Sequence, residues 1–189
     1  PHYRELQYGH ADGDTWIPSE CDVSIRPGWF YHPEEDGRVK TPEQLADLYY
    51  RSVGHNATLL LNFPVDREGL IHPIDSANAV NFHKLIQREL QHNLVAGMTP
   101  KVSNERGKAF AAKAMTDDSW DTYWATADGV TSATITFDFK KPQLMNRIML
   151  QEYIPLGQRV KKFAVEYLDG KTWRSVEQGE ETTTIGYKR

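Results

Sequence analysis

Residues 16–36 bring together the kinds of side chain that recognise sugars. The stretch contains carboxylates, a guanidinium, an imidazole and rings: Trp16, Glu20, Asp22, Arg26, Trp29, Phe30, Tyr31 and His32. A sugar presents C–H faces that lie against aromatic rings, and hydroxyls that need charged or polar partners. Pro27-Gly28 provides a turn that presents these groups together. The predicted substrate-binding residues are Trp16, Asp22, Arg26, Trp29 and His32.

The carboxylates of this stretch also point to cleavage of a glycosidic bond. Glycoside hydrolysis normally needs one carboxyl group that protonates the leaving oxygen and a second that acts as nucleophile or base. Glu20 is the best candidate for one of these two carboxyl groups. In the alternative, Glu20 and Asp22 recognise the sugar on the leaving-group side of the bond.

The same residues also allow a purely structural interpretation. Tryptophan and tyrosine often close a hydrophobic core, so Trp29, Phe30 and Tyr31 could simply pack. Asp22 and Arg26, four residues apart, could pair and brace the loop. The acidic run at residues 34–36 is typical of a solvated turn, because a calcium site needs six or more converging oxygens.

Several other classes of function are disfavoured by the sequence. The histidines show no HExxH spacing, and phosphate-binding, dinucleotide-binding and GxSxG motifs are missing, so we predict no metal and no cofactor. The net charge of −4 and the pI near 6.0 argue against a nucleic-acid partner. No apolar run approaches the roughly 20 residues of a membrane span, so no membrane partner is expected.

The first half of the sequence predicts α/β architecture. Thr41, Pro42 and Gln44 form a capping box that starts a helix, and Gly54 follows where that helix should end. Residues 57–63, ATLLLNF, are apolar without alternation, which is typical of a parallel strand covered on both faces. Asp75 or Ser76 can cap a second helix that reaches Leu90. This order predicts alternating helices and strands.

The second half predicts an antiparallel β-sandwich of the jelly-roll type. Residues 92–104 resemble a linker, after which apolar residues alternate at positions 133–139, 148–150 and 163–167. Leu168-Asp169-Gly170-Lys171 indicates a hairpin, and the terminal TTTIGYKR resembles a strand that is just beginning. We predict two domains, 1–94 and 95–189, each incomplete at its outer end.

Two blocks of the first half resemble a known family. WIPSECDVSIRPGWFYHPEED, followed by SVGHNATLLLNFPVDREGLI, resembles the last part of the catalytic barrel of the family 29 α-L-fucosidases. The resemblance implies a (β/α)8-type barrel and a retaining exo-hydrolase that removes terminal α-L-fucose from glycans. It places Trp29 near the methyl group of fucose. The SIRPGW form implies α-1,3- or α-1,4-linked fucose.

The resemblance also implies that half of the catalytic site lies outside this sequence. The nucleophilic aspartate should precede Pro1, and the acid/base residue is either Glu20 or another glutamate upstream. A complete barrel needs roughly 250 residues, so residues 1–91 can hold only its last elements and need the remainder as a partner. We therefore expect this chain alone to be inactive, and expect the whole protein to be periplasmic or secreted and bacterial.

The remainder resembles the discoidin-like, coagulation factor 5/8 type C sandwich that is often appended to these enzymes. The segments that carry this resemblance are SWDTYWATADGVTSATITFDF and IPLGQRVKKFAVEYLDGKTW. Trp120, Tyr123 and Trp124 are candidates for a second sugar-binding platform, or for packing at the start of the sandwich. The alternative function is a carbohydrate-binding module that carries a non-catalytic barrel remnant.

Overall fold

The computed structural model describes residues 10, 12–177 and 184–189. The chain forms two compact units, one of residues 1–89 with 148–189 and one of residues 90–147. The predicted division after residue 94 lies close to the break after residue 89, and it stays a prediction. No helix within the described ranges is long and apolar enough to cross a bilayer.

The first unit is built on a parallel strand pair. Strand β1 (Ser19–Ser24) and strand β2 (Ala57–Asn62) are in register from one end to the other. Helix α1 (Pro42–Ser52) lies between them in sequence, and helix α2 (Pro73–Leu90) follows β2. A parallel pair needs a crossover connection of this kind, so the predicted α/β order is confirmed here.

Helix α1 begins and ends where the sequence predicts. The Gln44 amide N–H donates to Thr41 Oγ1 over 3.3 Å, and the Thr41 amide N–H donates to Gln44 Oε1 over 2.9 Å. These two bonds are the predicted capping box. The helix ends at Ser52, just before Gly54. A short 3-10 turn, Val53–His55, follows, and it is closed by Asn56 in the left-handed conformation, with φ of 68°.

The core lies on one side of the strand pair. Ile25, Val39 and Leu45 are buried there, and four partly buried residues pack against them: Leu48, Leu61, Phe63 and Phe82. The expectation that β2 is covered on both faces is wrong for the described residues. Its exposure alternates and Leu60 is 51% exposed, because the helices cover only the face that carries Leu59 and Leu61.

Residues 90–147 contain little regular structure. Strand β3 (Lys101–Val102) pairs antiparallel with strand β4 (Ile135–Thr136), and short 3-10 turns span Lys108–Phe110 and Ala112–Met115. The strand predicted over residues 133–139 is therefore reduced to two residues. One backbone bond continues the pairing beyond it, from the Ser103 amide N–H to the Thr134 carbonyl over 3.0 Å.

The predicted hairpin near residue 170 is confirmed. Strand β5 (Glu166–Asp169) and strand β6 (Thr172–Ser175) pair antiparallel across a two-residue turn in which Gly170 has φ of 63°. The only other regular element after residue 147, among those described, is the 3-10 turn Ile154–Leu156. The segment at 148–150 is not a regular strand. These short pairs do not amount to a sandwich, which remains a proposal.

Residues 184–189 are held on the first unit by backbone hydrogen bonds. Leu150 and Arg189 exchange two bonds of 2.8 and 2.9 Å, in the manner of an antiparallel bridge. The Glu152 carboxylate accepts the amide N–H groups of Arg159, Val160 and Gly186 at 2.6 to 2.7 Å. The strand predicted for the terminal TTTIGYKR is not formed at residues 184–189, and its first residues lie outside the described ranges.

Candidate functional site

The candidate site lies where β1 and β2 end. The loop of residues 27–32 follows β1, and Asn62 closes β2 beside it. The Asn62 Nδ2 group donates to the Trp29 carbonyl over 3.2 Å and to Ser24 Oγ over 3.1 Å. Sites in α/β folds form at the carboxyl ends of parallel strands. This asparagine therefore fixes the loop to the edge at which such a site is expected.

Arg26 lies beneath this loop and is fully buried. Its Nε and Nη2 groups donate to the two carboxylate oxygens of Asp75 over 2.8 and 2.7 Å, and both side chains are 0% exposed. One prediction is corrected, because Arg26 pairs with Asp75 rather than with Asp22. Its role in substrate binding stays a prediction. Asp75 is an ion-pair partner in the first turn of α2, not its cap.

The remaining nitrogen of the Arg26 guanidinium, Nη1, bonds the loop and the residues that follow it. Nη1 donates to Asp36 Oδ1 over 2.9 Å and to the His32 carbonyl over 3.4 Å. The Tyr31 ring lies over the guanidinium, 4.6 Å from ring centroid to Cζ. The predicted solvated acidic turn is therefore wrong for Asp36. Of its neighbours, Glu35 pairs with Arg38 over 3.1 Å.

These contacts set the electrostatics of the cluster. The hydrogen bond to Asp75 is the largest of the effects that raise the pKa of Arg26, and Asp36 adds to it. Burial raises the pKa of Tyr31, and the negative charge of Asp36 raises it further. The Tyr31 ring also stacks on His72 at 5.7 Å, and His72 Nε2 lies 3.6 Å from Asp36 Oδ2. The guanidinium stays charged, and Tyr31 stays neutral, over the ordinary pH range.

The top of the loop is open. Trp29 is 51% exposed and Phe30 77% exposed, and His32 is exposed as well. The sequence left open whether Trp29 and Phe30 pack into a core. Their exposure shows that they do not. Only Tyr31 is partly buried, against Arg26. The loop presents two rings and an imidazole on a base that is held by buried charges, which suits the C–H faces and hydroxyls of a sugar.

Glu20, Asp22 and Trp16 lie away from this loop. Glu20 and Asp22 occupy the exposed face of β1, opposite Thr58 and Leu60 of β2. Glu20 is four residues before the end of the strand, about 13 Å along it at 3.3 Å per residue. Trp16 precedes β1, and its ring lies 6.2 Å from that of Tyr187. Trp29 and His32 therefore lie on one loop, whereas Trp16, Glu20 and Asp22 lie on or before β1.

The three residues of the second predicted sugar-binding platform, Trp120, Tyr123 and Trp124, differ in their exposure and contacts. Trp120 is 67% exposed. The Tyr123 ring lies 5.1 Å from that of Phe110, and Trp124 Nε1 donates to the Asn104 carbonyl over 3.1 Å. Trp120 is thus the most exposed member of the set, whereas Tyr123 packs on Phe110 and Trp124 is held by its hydrogen bond. Within the described ranges, no group of three or more His, Cys, Asp or Glu side chains could hold a metal ion.

Asp75, Asp36 and Asn62 were missed as site residues. Asp75 is 49 positions from Arg26, so no local spacing could indicate the pair. A buried strand that ends in a polar residue, as in LLLN, is a signal that could have identified Asn62. Nothing in the acidic run 34–36 distinguishes Asp36 from its neighbours.

Comparison with known proteins identifies relatives of this chain. Residues 99–188 match the model of the F5/8 type C domain. A protein of Oryza sativa subsp. japonica, named as a candidate α-L-fucosidase 1, is 41% identical over 185 residues, which are 96% of this chain and 35% of that protein. The chain is related to the α-L-fucosidases along almost its whole length. The resemblance expected from the sequence is thereby confirmed.

Further α-L-fucosidases show the same relationship. α-L-fucosidase 1 of Arabidopsis thaliana is 35% identical over 188 residues, which are 97% of this chain and 36% of that protein. A glycoside hydrolase family 29 fucosidase of Ruminococcus gnavus, solved in complex with fucose, has a TM-score of 0.86 at 38% identity, covering 96% of this chain and 36% of that one. The chain thus spans about a third of the length of these fucosidases.

Proposed function

We propose that this chain is the C-terminal part of an α-L-fucosidase, in which the loop of residues 27–32 borders the fucose site. The observation that carries the proposal is the half-exposed Trp29, held at the carboxyl edge of a parallel strand pair by Asn62. The relationship to family 29 fucosidases, one of them in complex with fucose, supports it. The strand pair then belongs to a (β/α)8 barrel whose other strands lie elsewhere in the protein.

The substrate of this site is a terminal α-L-fucose on a glycan. Fucose carries a methyl group where most hexoses carry a hydroxymethyl group, so its site needs an apolar wall, and the Trp29 ring supplies one. His32 lies three residues further along the loop and is exposed, so its imidazole can bond a sugar hydroxyl. α-1,3 and α-1,4 linkages are the proposed substrates, in a whole protein that works in the periplasm or outside the cell.

The reaction follows the retaining scheme with two carboxyl groups. One carboxylate attacks the anomeric carbon and forms a covalent fucosyl-enzyme, while the other group protonates the departing oxygen and then activates water. The nucleophile comes from the part of the protein outside this chain. The position of Glu20, well before the carboxyl end of β1, favours a carboxyl group from that part for the acid/base role as well.

Fucose release by the full-length protein tests the proposal. A Lewis-type trisaccharide should lose fucose, a simple aryl fucoside should react far more slowly, and residues 1–189 alone should be inactive. Trp29→Ala should raise KM about tenfold and Trp29→Phe should raise it less, because a phenyl ring keeps most of the apolar wall. If the full-length protein releases no fucose from any fucosylated glycan, the proposed function is wrong.

Glu20→Gln decides the acid/base question in the same assay. If Glu20 protonates the leaving group, kcat should fall about 100-fold to 10,000-fold and the bell-shaped pH profile should lose its alkaline limb. A variant with nearly unchanged kcat would assign that role to a residue outside this chain.

A second candidate function is glycan binding by the F5/8 type C region. The observation that favours it is Trp120, whose ring is largely exposed, since open tryptophan rings stack on sugars. Retention of the full-length protein on immobilised fucosylated glycans, compared with its Trp120→Ala variant, tests this binding without reference to catalysis.

A further inference from the structure

The Arg26 side chain contacts both the helical framework and the candidate loop. Four of its hydrogen bonds divide into two sets. The Nε and Nη2 groups bond Asp75 at the start of α2, whereas Nη1 bonds Asp36 and the His32 carbonyl, both on the chain that leaves β1. Because the guanidinium is rigid and planar, these two sets of partners are held at a fixed angle.

We propose that Arg26 is a positioning residue that sets the conformation of the loop of residues 27–32, and with it the placement of Trp29 and His32. Asp75 anchors the guanidinium to α2, and Asp36 connects it to the loop. The inference rests on the proposed function, since Trp29 and His32 matter only as ligands of the sugar. Arg26 itself contacts no ligand, because its side chain has no exposed surface.

The charges explain why the arrangement is rigid. Asp75 is fully buried, so the bidentate pair lies in a medium in which each bond is stronger than in water. The Tyr31 ring lies over the guanidinium at 4.6 Å and also stacks on His72 at 5.7 Å. The loop therefore wraps around a buried cation, and rotation of the loop would leave that cation short of acceptors.

The two sets of contacts can be removed separately. Loss of Asp75 leaves a buried cation without its main partner and should destabilise the whole unit. The Asp36 side chain is 30% exposed, and its loss leaves the Arg26–Asp75 pair intact. Asp36→Ala therefore tests the connection to the loop with the least damage to the framework. Asp47, which pairs with Arg51 on the exposed side of α1 at 3.6 Å, provides the matched control Asp47→Ala.

The experiment compares the full-length wild-type protein with Asp36→Ala, Asp47→Ala and Arg26→Lys. We expect Asp36→Ala to lower kcat/KM about 100-fold, mainly through KM, because a small misplacement of binding groups costs about that much. The inhibition constant of L-fucose should rise in parallel. Arg26→Lys should behave at least as badly, since an ammonium cannot bond both Asp75 oxygens and Asp36 in one plane. Asp47→Ala should match the wild type.

Amide hydrogen exchange separates the possible outcomes. Residues 28–36 should exchange faster in Asp36→Ala, while the amides of α1 keep their wild-type rates. A KM and a loop exchange rate equal to those of the wild type would overturn the proposal. A lower kcat with unchanged KM and unchanged exchange would also overturn it, because that pattern reports only a reduced amount of folded protein. If the wild type releases no fucose, the proposed function fails, and the exchange rates alone decide whether Arg26 holds the loop.

Discussion

Asn56 and Lys188 are joined by two hydrogen bonds, although 132 residues separate them. The Lys188 amide N–H donates to Asn56 Oδ1 over 2.8 Å, and the Asn56 amide N–H donates to the Lys188 carbonyl over 3.1 Å. Asn56 Nδ2 also donates to the Ile185 carbonyl over 3.1 Å. One left-handed residue at the amino end of β2 thus holds the last residues of the chain.

Replacement of Asn56 should weaken this attachment in two measurable steps. Asn56→Gly keeps the left-handed backbone but loses the two side-chain hydrogen bonds, and should lower the free energy of unfolding by about 2 kcal/mol. Asn56→Ala should lower it by about 3 kcal/mol, because alanine also resists φ of 68°. Urea unfolding of the full-length protein measures both. Equal losses in the two variants would contradict the backbone contribution.

Gly186→Ala should destabilise the same contact from the other side. A Cβ at position 186 would lie 2.6 Å from Asn56 Oδ1, and the residue has φ of 70°. The Asn56 side chain is fixed by its own hydrogen bonds and cannot retreat, so we expect a loss of about 2 kcal/mol. In an Asn56→Gly background the clash disappears and the loss should be smaller. Strict additivity of the two substitutions would contradict this contact.

The structural features that the sequence could predict depend on residues that are close together in the chain. The Thr41–Gln44 capping box depends on residues three positions apart, and the hairpin depends on Gly170 and its direct neighbours. The left-handed conformation of Asn56 could not be predicted, because Gly54 is intrinsically the better left-handed residue. In this conformation the side chain and the amide of Asn56 form hydrogen bonds with Ile185 and Lys188. The sequence around residue 56 does not indicate these distant partners.

Tyr31 should make the unit sensitive to alkali. Burial and the charge of Asp36 raise the pKa of Tyr31 above its ordinary value of 10.0, against the lowering effect of Arg26. A folded-state pKa above the unfolded one means that this contribution to stability is complete below about pH 10 and is lost as pH rises through the folded-state pKa.

The difference in unfolding free energy between the wild type and Tyr31→Phe should therefore shift against the wild type above about pH 10. Urea unfolding at about pH 8 and about pH 11 measures that change. The difference in tyrosinate absorbance between the two proteins during titration gives the pKa of Tyr31 directly. Ionisation of Tyr31 at or below pH 10 would contradict the expectation.

Trp120 and Trp124 should respond differently to truncation. Trp120 is 67% exposed, so Trp120→Ala should change the free energy of unfolding by less than about 0.5 kcal/mol and reduce retention on a fucosylated glycan column. Trp124→Ala should lower stability instead, because it removes a partly buried ring and its bond to the Asn104 carbonyl. Glycan retention unaffected by Trp120→Ala would leave the F5/8 type C region without a sugar site at this ring.

The residue types were enough to identify the loop of the candidate site. The contacts that hold the loop could not be predicted, because their partners are far apart in the sequence. Trp29 and His32 could be selected because rings and imidazoles suit sugars. The ion-pair partner of Arg26 was predicted wrongly because Asp22 is close by in the sequence, whereas the actual partner, Asp75, follows only after α1 and β2. The strand Ser19–Ser24 was not predicted, so the sequence could not show how far Glu20 lies from the carboxyl end of β1.

The bond between Asn56 and Lys188 also has a consequence for synthesis of the protein on the ribosome. A chain grows by roughly 5 to 20 residues per second, so Lys188, which lies 132 positions after Asn56, is added roughly 7 to 26 s later. During that interval β1 and β2 can pair, but Asn56 lacks the two carbonyls and the amide N–H that later bind it. Synthesis therefore delays the attachment of the last residues until seconds after the strand pair has been made.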